Sequence, residues 1–195
     1  MTKRTFQSFK ELLDHELPLE HIKLTHEGFK IDGNTNDSLK GYCKFSDLKS
    51  ADYFCCREQK VYVIEFSDII DQQLNILLKI DEIKCSNLPK AHKQDLCRHY
   101  LRELVQEMKE KFRDTDTIYH SLSGHFDDLD DEFNKAYHQC TLVFSDERLK
   151  DPEIPKLKKI ELAKFLSTLA SRITNSIPNH VNARVVIAPI SEFCK

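Results

Sequence analysis

Two carboxylates in the first half of the chain, Asp52 and Glu65, stand on either side of a short polar break in a run of β-forming residues. Residues 53–56 and 61–66 are rich in aromatic, β-branched and cysteine side chains, and 57–60 is the only polar interruption, so the stretch reads as a tight antiparallel hairpin. Centring the turn on Glu58 and Gln59 pairs Arg57 with Lys60, Cys56 with Val61 and Cys55 with Tyr62, which brings Asp52 opposite Glu65. Glu-Gln is a weak pair for a type I′ turn, but a four-residue loop about the same centre keeps the register. Facing carboxylates on neighbouring strands supply the hard oxygen ligands of Mg²⁺ or Mn²⁺, and such an ion, held against a phosphate oxygen and a water, is what metal-dependent phosphodiester hydrolysis needs. Strand alternation puts Ser67 on the same face as Glu65, so the third position of Glu65-Phe66-Ser67 also points at this site. A lysine there would add positive charge, and this chain has serine. The plain structural reading of the same residues is a solvated Asp52 opening a strand, a half-buried Glu65 paired with an arginine, and Ser67 and Asp68 capping the next helix.

The surrounding pattern supplies the elements that must hold the hairpin. Residues 5–16 place Phe6, Phe9, Leu12 and Leu13 on one helical face with Pro18 beyond, which predicts a first amphipathic helix. A strand is expected over 29–32 or over 41–45, on either side of the turn-forming 33–37 segment. After the hairpin, 69–84 reads as a helix with Ser67 or Asp68 at its N-cap, and 90–113 as a longer one with Leu96, Tyr100, Leu104 and Met108 in a row. Its outer charges, Arg98, Arg102, Lys109 and Arg113 beside Glu103, Glu107 and Glu110, read as a solvated, self-paired face, with a nucleic-acid stripe as the alternative. The polar 114–131 segment, ending in the acidic 127–132 cluster, reads as an exposed loop with room for a short helical turn. Residues 137–145 and 183–190 are short apolar strands of the kind buried on both faces of a sheet, with a helix over 154–174 between them whose inward residues are Leu157, Ile160, Leu166, Leu169, Ala170 and Ile173. The order predicts a single α/β domain over 1–195, with a mixed β-sheet, a central hairpin and flanking helices.

Composition removes several function classes. A net charge of −3 gives no global electrostatic footprint for nucleic acid or an anionic membrane, so such binding needs a local patch. There is no apolar run long enough to span a bilayer and no secretory signal pattern in the first ten residues, so a cytoplasmic protein without membrane attachment is expected. Seven cysteines, odd in number and lacking any Cys-x-x-Cys pair, read as reduced thiols rather than disulfides or a zinc site. Four scattered glycines leave no phosphate loop or dinucleotide fingerprint, and the nine histidines show no ligand spacing.

At Asp52 and Glu65-Phe66-Ser67, within this order of elements, the chain resembles the PD-(D/E)xK, or restriction-endonuclease-like, nuclease superfamily. There a helix precedes a hairpin, an aspartate opens its second strand, a Glu-x-Lys closes the third, and a helix, a further strand and a helix follow. The resemblance spans most of the chain's element order, and its motif amounts to the two acidic residues. It implies Asp52 and Glu65 as Mg²⁺ or Mn²⁺ ligands, the main-chain carbonyl of Phe66 as an additional one, and Ser67 in the catalytic lysine's place; Glu11 or Glu16 would offer a further carboxylate. Ala51 stands where the family often has proline. Family members exist in which the lysine is supplied from elsewhere, and others keep the fold without activity. Two functions therefore follow as expectations: a divalent-metal-dependent nuclease acting on DNA or RNA, or a non-catalytic protein-binding module, such as an immunity or inhibitor protein or a subunit of a microbial defence complex, whose acidic 127–132 segment docks a basic partner.

Overall fold

The computed structural model describes residues 4–18, 20–177 and 184–194. One six-stranded sheet runs β1 (Lys10–Leu12), β2 (Glu27–Lys30), β3 (Tyr53–Arg57), β4 (Lys60–Phe66), β5 (Gln139–Phe144) and β6 (Arg184–Pro189), each strand beside its neighbour in sequence. β1 to β4 are antiparallel, and β5 and β6 then run parallel to β4. The helical elements in chain order are α1 (Leu39–Tyr42), α2 (Ile69–Cys85), α3 (Lys90–His125), α4 (Glu147–Lys150), α5 (Lys156–Thr174) and α6 (Ile190–Phe193). This is an α/β architecture with a mixed sheet, as the sequence pattern predicts. No described helix is long and apolar enough to cross a membrane.

The hairpin has the expected register: Cys56 pairs with Val61, Cys55 with Tyr62 and Tyr53 with Ile64. Its two-residue loop places Glu58 at φ 50° and Gln59 at φ 58°. Both residues enter the left-handed region because a type I′ turn matches the strand twist, and the sheet imposes that conformation on side chains that disfavour it. Alternation then divides the hairpin. Phe54, Val61 and Val63 join the main core with Leu104, Met108 and Phe112 of α3, whereas Tyr53, Cys55 and Ile64 meet Leu13, Leu17, Leu24 and Ile190 on the other face. Glu65 continues the helix-facing row of β4, where Lys111 of α3 meets it.

Several expectations are corrected. Residues 5–16 form no amphipathic helix: Phe6–Phe9 is a 3₁₀ turn leading into β1, whose residues pair Lys10 with Phe29 and Leu12 with Glu27. A 3₁₀ turn brings positions i and i+3 together, and both rings go into an aromatic cluster, Phe6 stacking on Phe29 at 4.3 Å and meeting Phe133 edge-on at 4.8 Å. Leu12, expected to face inward, is 60% exposed on the edge strand. Of the two candidate strands, the first is present as β2, while 41–45 begins in the single turn α1.

The expected loop over 114–131 is helical to His125, because Thr115, Ile118, Tyr119 and Leu122 carry the apolar row of α3 into the core for three further turns. Parts of the acidic cluster then serve the fold, since Asp128 accepts from the Phe6 N–H at 3.0 Å and Asp130 from the Gln7 amide at 2.7 Å. In α5 only the middle and end are buried, through Leu162, Leu169 and Ile173, and Leu157 and Ile160 face solvent. The start of the 183–190 strand lies outside the described residues.

Candidate metal centre

Asp52 is fixed by its backbone before its side chain does anything. Its N–H donates to the Ile64 carbonyl at 3.0 Å, and its own carbonyl accepts from Ile31 N–H at 2.8 Å, tying the segment after β2 to the end of β4. α3 is clamped to the same place: Ala51 N–H donates to Thr115 Oγ1 at 2.8 Å, Lys49 N–H to Asp114 at 3.2 Å, and Lys49 Nζ to Glu110 at 2.7 Å. These contacts explain alanine at position 51, since a proline lacks the N–H that meets Thr115. Ala51→Pro is expected to cost about 1–3 kcal/mol, the loss of one buried hydrogen bond with its acceptor left unpaired, read as a lower urea midpoint. An unchanged midpoint would show that the clamp is not needed.

This clamp sets Lys111 over the hairpin. Its Nζ lies 2.5 Å from Glu65 Oε1. Glu65 is 1% exposed, and its Oε2 is buried with no hydrogen-bond partner among the described residues. Asp52 Oδ2 accepts from the Phe66 N–H at 2.7 Å, so the second carboxylate is drawn over the end of β4. Burial pushes the Asp52 carboxyl up to about 6, with the Phe66 N–H and the Lys111 ammonium opposing and Asp32 and Glu16 adding to the rise. Burial also raises Glu65 well above the usual carboxylate range, joined by repulsion from Asp52 and offset in part by Lys111. For Lys111, burial works against its charge, but the attraction of Glu65 and Asp52 outweighs it and the group remains an ammonium.

A cleft of roughly 400 Å³ opens beside these residues; Asp52, Phe66 and Lys111 line it, and the enclosed Glu65 does not. Its walls carry six carboxylates (Glu11, Asp14, Glu16, Asp32, Asp52 and Asp68) and two lysines (Lys30 and Lys111). Glu11 comes from β1 and Glu16 from the loop after it, so both expected extra carboxylates reach the cleft, though not from a helix. Glu11 is engaged by Tyr53 at 3.1 Å and Lys30 at 3.3 Å. Asp32 is held by Lys40 at 2.5 Å and Ser50 at 2.7 Å, both of them buried.

Ser67 is buried, with its N–H on Val143 at 2.9 Å, and the cleft wall runs through Phe66 and Asp68. The ammonium beside the two carboxylates therefore belongs to Lys111, which the sequence pattern does not single out. Asp68 occupies the N-cap position of α2.

The donor set fits a hard divalent cation. Asp52 and Glu65 offer carboxylate oxygens, one of them buried and unpaired, and Mg²⁺ is ordinarily held by one or two carboxylates with water and phosphate oxygens filling its octahedron. A second acidic group, Glu20 with Asp146 and Glu147, has ligand atoms within 4.8 Å of one another. Lys150 pairs there with Glu147 at 2.8 Å and with Asp146 at 3.3 Å, as Lys111 does with Glu65. All seven cysteines are free, and burial raises the Cys56 thiol to about 12. Comparison of the chain with protein-family models, with curated proteins and with solved structures finds no match in any of the three.

Proposed function

We propose that this chain is a divalent-metal-dependent phosphodiester hydrolase acting on nucleic acid, built on a restriction-endonuclease-like core. The observation that carries the reading is the unpaired, buried Oε2 of Glu65 beside Asp52, with the Lys111 ammonium on the other oxygen. Ionising a carboxyl enclosed in this way is costly unless a cation completes its shell, and burial accordingly raises Glu65. The antiparallel β2-β3-β4 unit, followed by α2 and a parallel β5, agrees with that core.

A bound Mg²⁺ or Mn²⁺ would supply Lewis-acid activation of the phosphate and of the attacking water. Asp52 and Glu65 would hold it, with the Phe66 carbonyl as the additional ligand that the family resemblance suggests. Lys111 provides the positive charge that Ser67 does not, facing the cleft from a helix. The excess of carboxylates in the cleft repels a bare phosphate backbone, so nucleic acid enters only with the cation that offsets them.

The test is incubation of the purified protein with single- and double-stranded DNA and RNA. Expected are cleavage in Mn²⁺ or Mg²⁺, none with chelator, and loss of at least about 100-fold in Asp52→Ala and in Glu65→Ala. Activity should climb as the pH passes through about 6, where Asp52 becomes a carboxylate able to bind the ion. Cleavage that persists in either alanine variant, or that needs no metal, would remove the proposal.

A further inference from the structure

Lys111 and Glu65 are unequally enclosed. The Glu65 side chain is 1% exposed, while that of Lys111 is 25% exposed and forms part of the cleft wall. Among the described residues, Glu65 is the one side chain to which Lys111 Nζ hydrogen-bonds, at 2.5 Å. The carboxylate is thus held in place by the sheet, and the ammonium sits at the end of a flexible four-carbon stem reaching in from the cleft. Without a cation on Glu65, its enclosed charge would be uncompensated. With a divalent ion on the neighbouring oxygen, an ammonium left on Oε1 would face a like charge at close range.

Resting on the metal-site reading above, we propose that Lys111 is a positioning residue: in the ion-free cleft its ammonium stands in for the divalent cation on Glu65, and it leaves Oε1 for the phosphate side of the cleft when the ion binds. The stand-in keeps the buried carboxylate balanced and aimed, so the site is organised before loading. The exchange needs no movement of β4, because the exposed partner is the one that moves. It also assigns the lysine two successive contacts, Glu65 first and substrate phosphate second.

The experiment is a calorimetric Mn²⁺ titration of the wild-type chain, Lys111→Gln and Lys111→Arg, each first shown to be folded by circular dichroism and a cooperative melt. Lys111→Gln is expected to bind Mn²⁺ about tenfold more tightly than the wild type, since the ion no longer displaces a cation. Lys111→Arg should bind it more weakly, because a guanidinium grips a carboxylate through two parallel N–H bonds. Folded Lys111→Gln with equal or weaker Mn²⁺ affinity would overturn the stand-in role and show Lys111 to be scaffolding, leaving the metal-site reading intact. Mn²⁺ binding by none of the three proteins would overturn both.

Discussion

Asp52→Asn is expected to abolish metal-dependent cleavage while making the protein more stable, by about 1–3 kcal/mol at pH 7. The carboxyl titrates near 6 in the fold against an ordinary value of 3.8, so the native state holds this proton more tightly than the unfolded chain. Stability from this group is therefore fully present below pH 3.8 and is lost as the pH rises to about 6, where the buried carboxylate must ionise. Asparagine keeps an oxygen for the Phe66 N–H and never ionises, which removes that cost and also the repulsion that Asp52 exerts on Glu65. The attraction of Asp52 for Lys111 is lost at the same time, which trims the gain. Urea unfolding at pH 7 and pH 4 distinguishes the cases: the variant should exceed the wild type at the higher pH and match it at the lower. A variant less stable at pH 7, or a gain that is the same at both, would contradict the assignment of Asp52 as a strained, functional carboxylate. Ligands retained at a cost to the fold are what a binding site leaves behind.

The part of this centre that local pattern encodes is the hairpin. Tyr53 to Cys56 and Val61 to Phe66 alternate between two buried faces, and the polar break between them fixes the register through turn geometry, so the pairing down to Tyr53 opposite Ile64, which leaves Asp52 and Glu65 at the same end of the hairpin, is written in the local sequence. Lys111 is not written there. It meets Glu65 from 46 positions away, and on α3 it looks like one more lysine among the charges of an amphipathic helix. The clamp of Thr115 and Asp114 onto Ala51 and Lys49 helps set its place, and hydroxyl-to-backbone contacts leave no periodic trace.

Asp32 is hidden for a similar reason, since what marks it is a buried lysine on α1 and a buried serine. The misread segments err by tertiary choice between local options. Phe6 and Phe9 satisfy either an α-helix or a 3₁₀ turn, and Phe29, Phe126 and Phe133 decide in favour of the turn. The polar end of α3 carries few apolar residues, yet Ile118, Tyr119 and Leu122 suffice once the sheet lies beneath them.

The second large effect follows from the same pairing. Lys111→Met should cost about 2–4 kcal/mol at pH 7, because Glu65 is then buried without a cation and must either carry an uncompensated charge or take up a proton. Lys111 opposes the burial that already raises Glu65, so its removal drives the folded-state carboxyl higher still. A group whose folded value is raised loses stability as pH rises, so the deficit of Lys111→Met should be larger at pH 8 than at pH 5. Replacing both partners removes the charge as well as its counterion. Glu65→Leu with Lys111→Met is therefore expected to recover most of the loss, with a coupling of about 2–3 kcal/mol in a double-mutant cycle measured by urea unfolding. Additive losses would show that the 2.5 Å contact contributes no energy of its own. The recovered double variant should bind no Mn²⁺, which places the ion-pair's value in the site and not in the stability of the sheet that carries it.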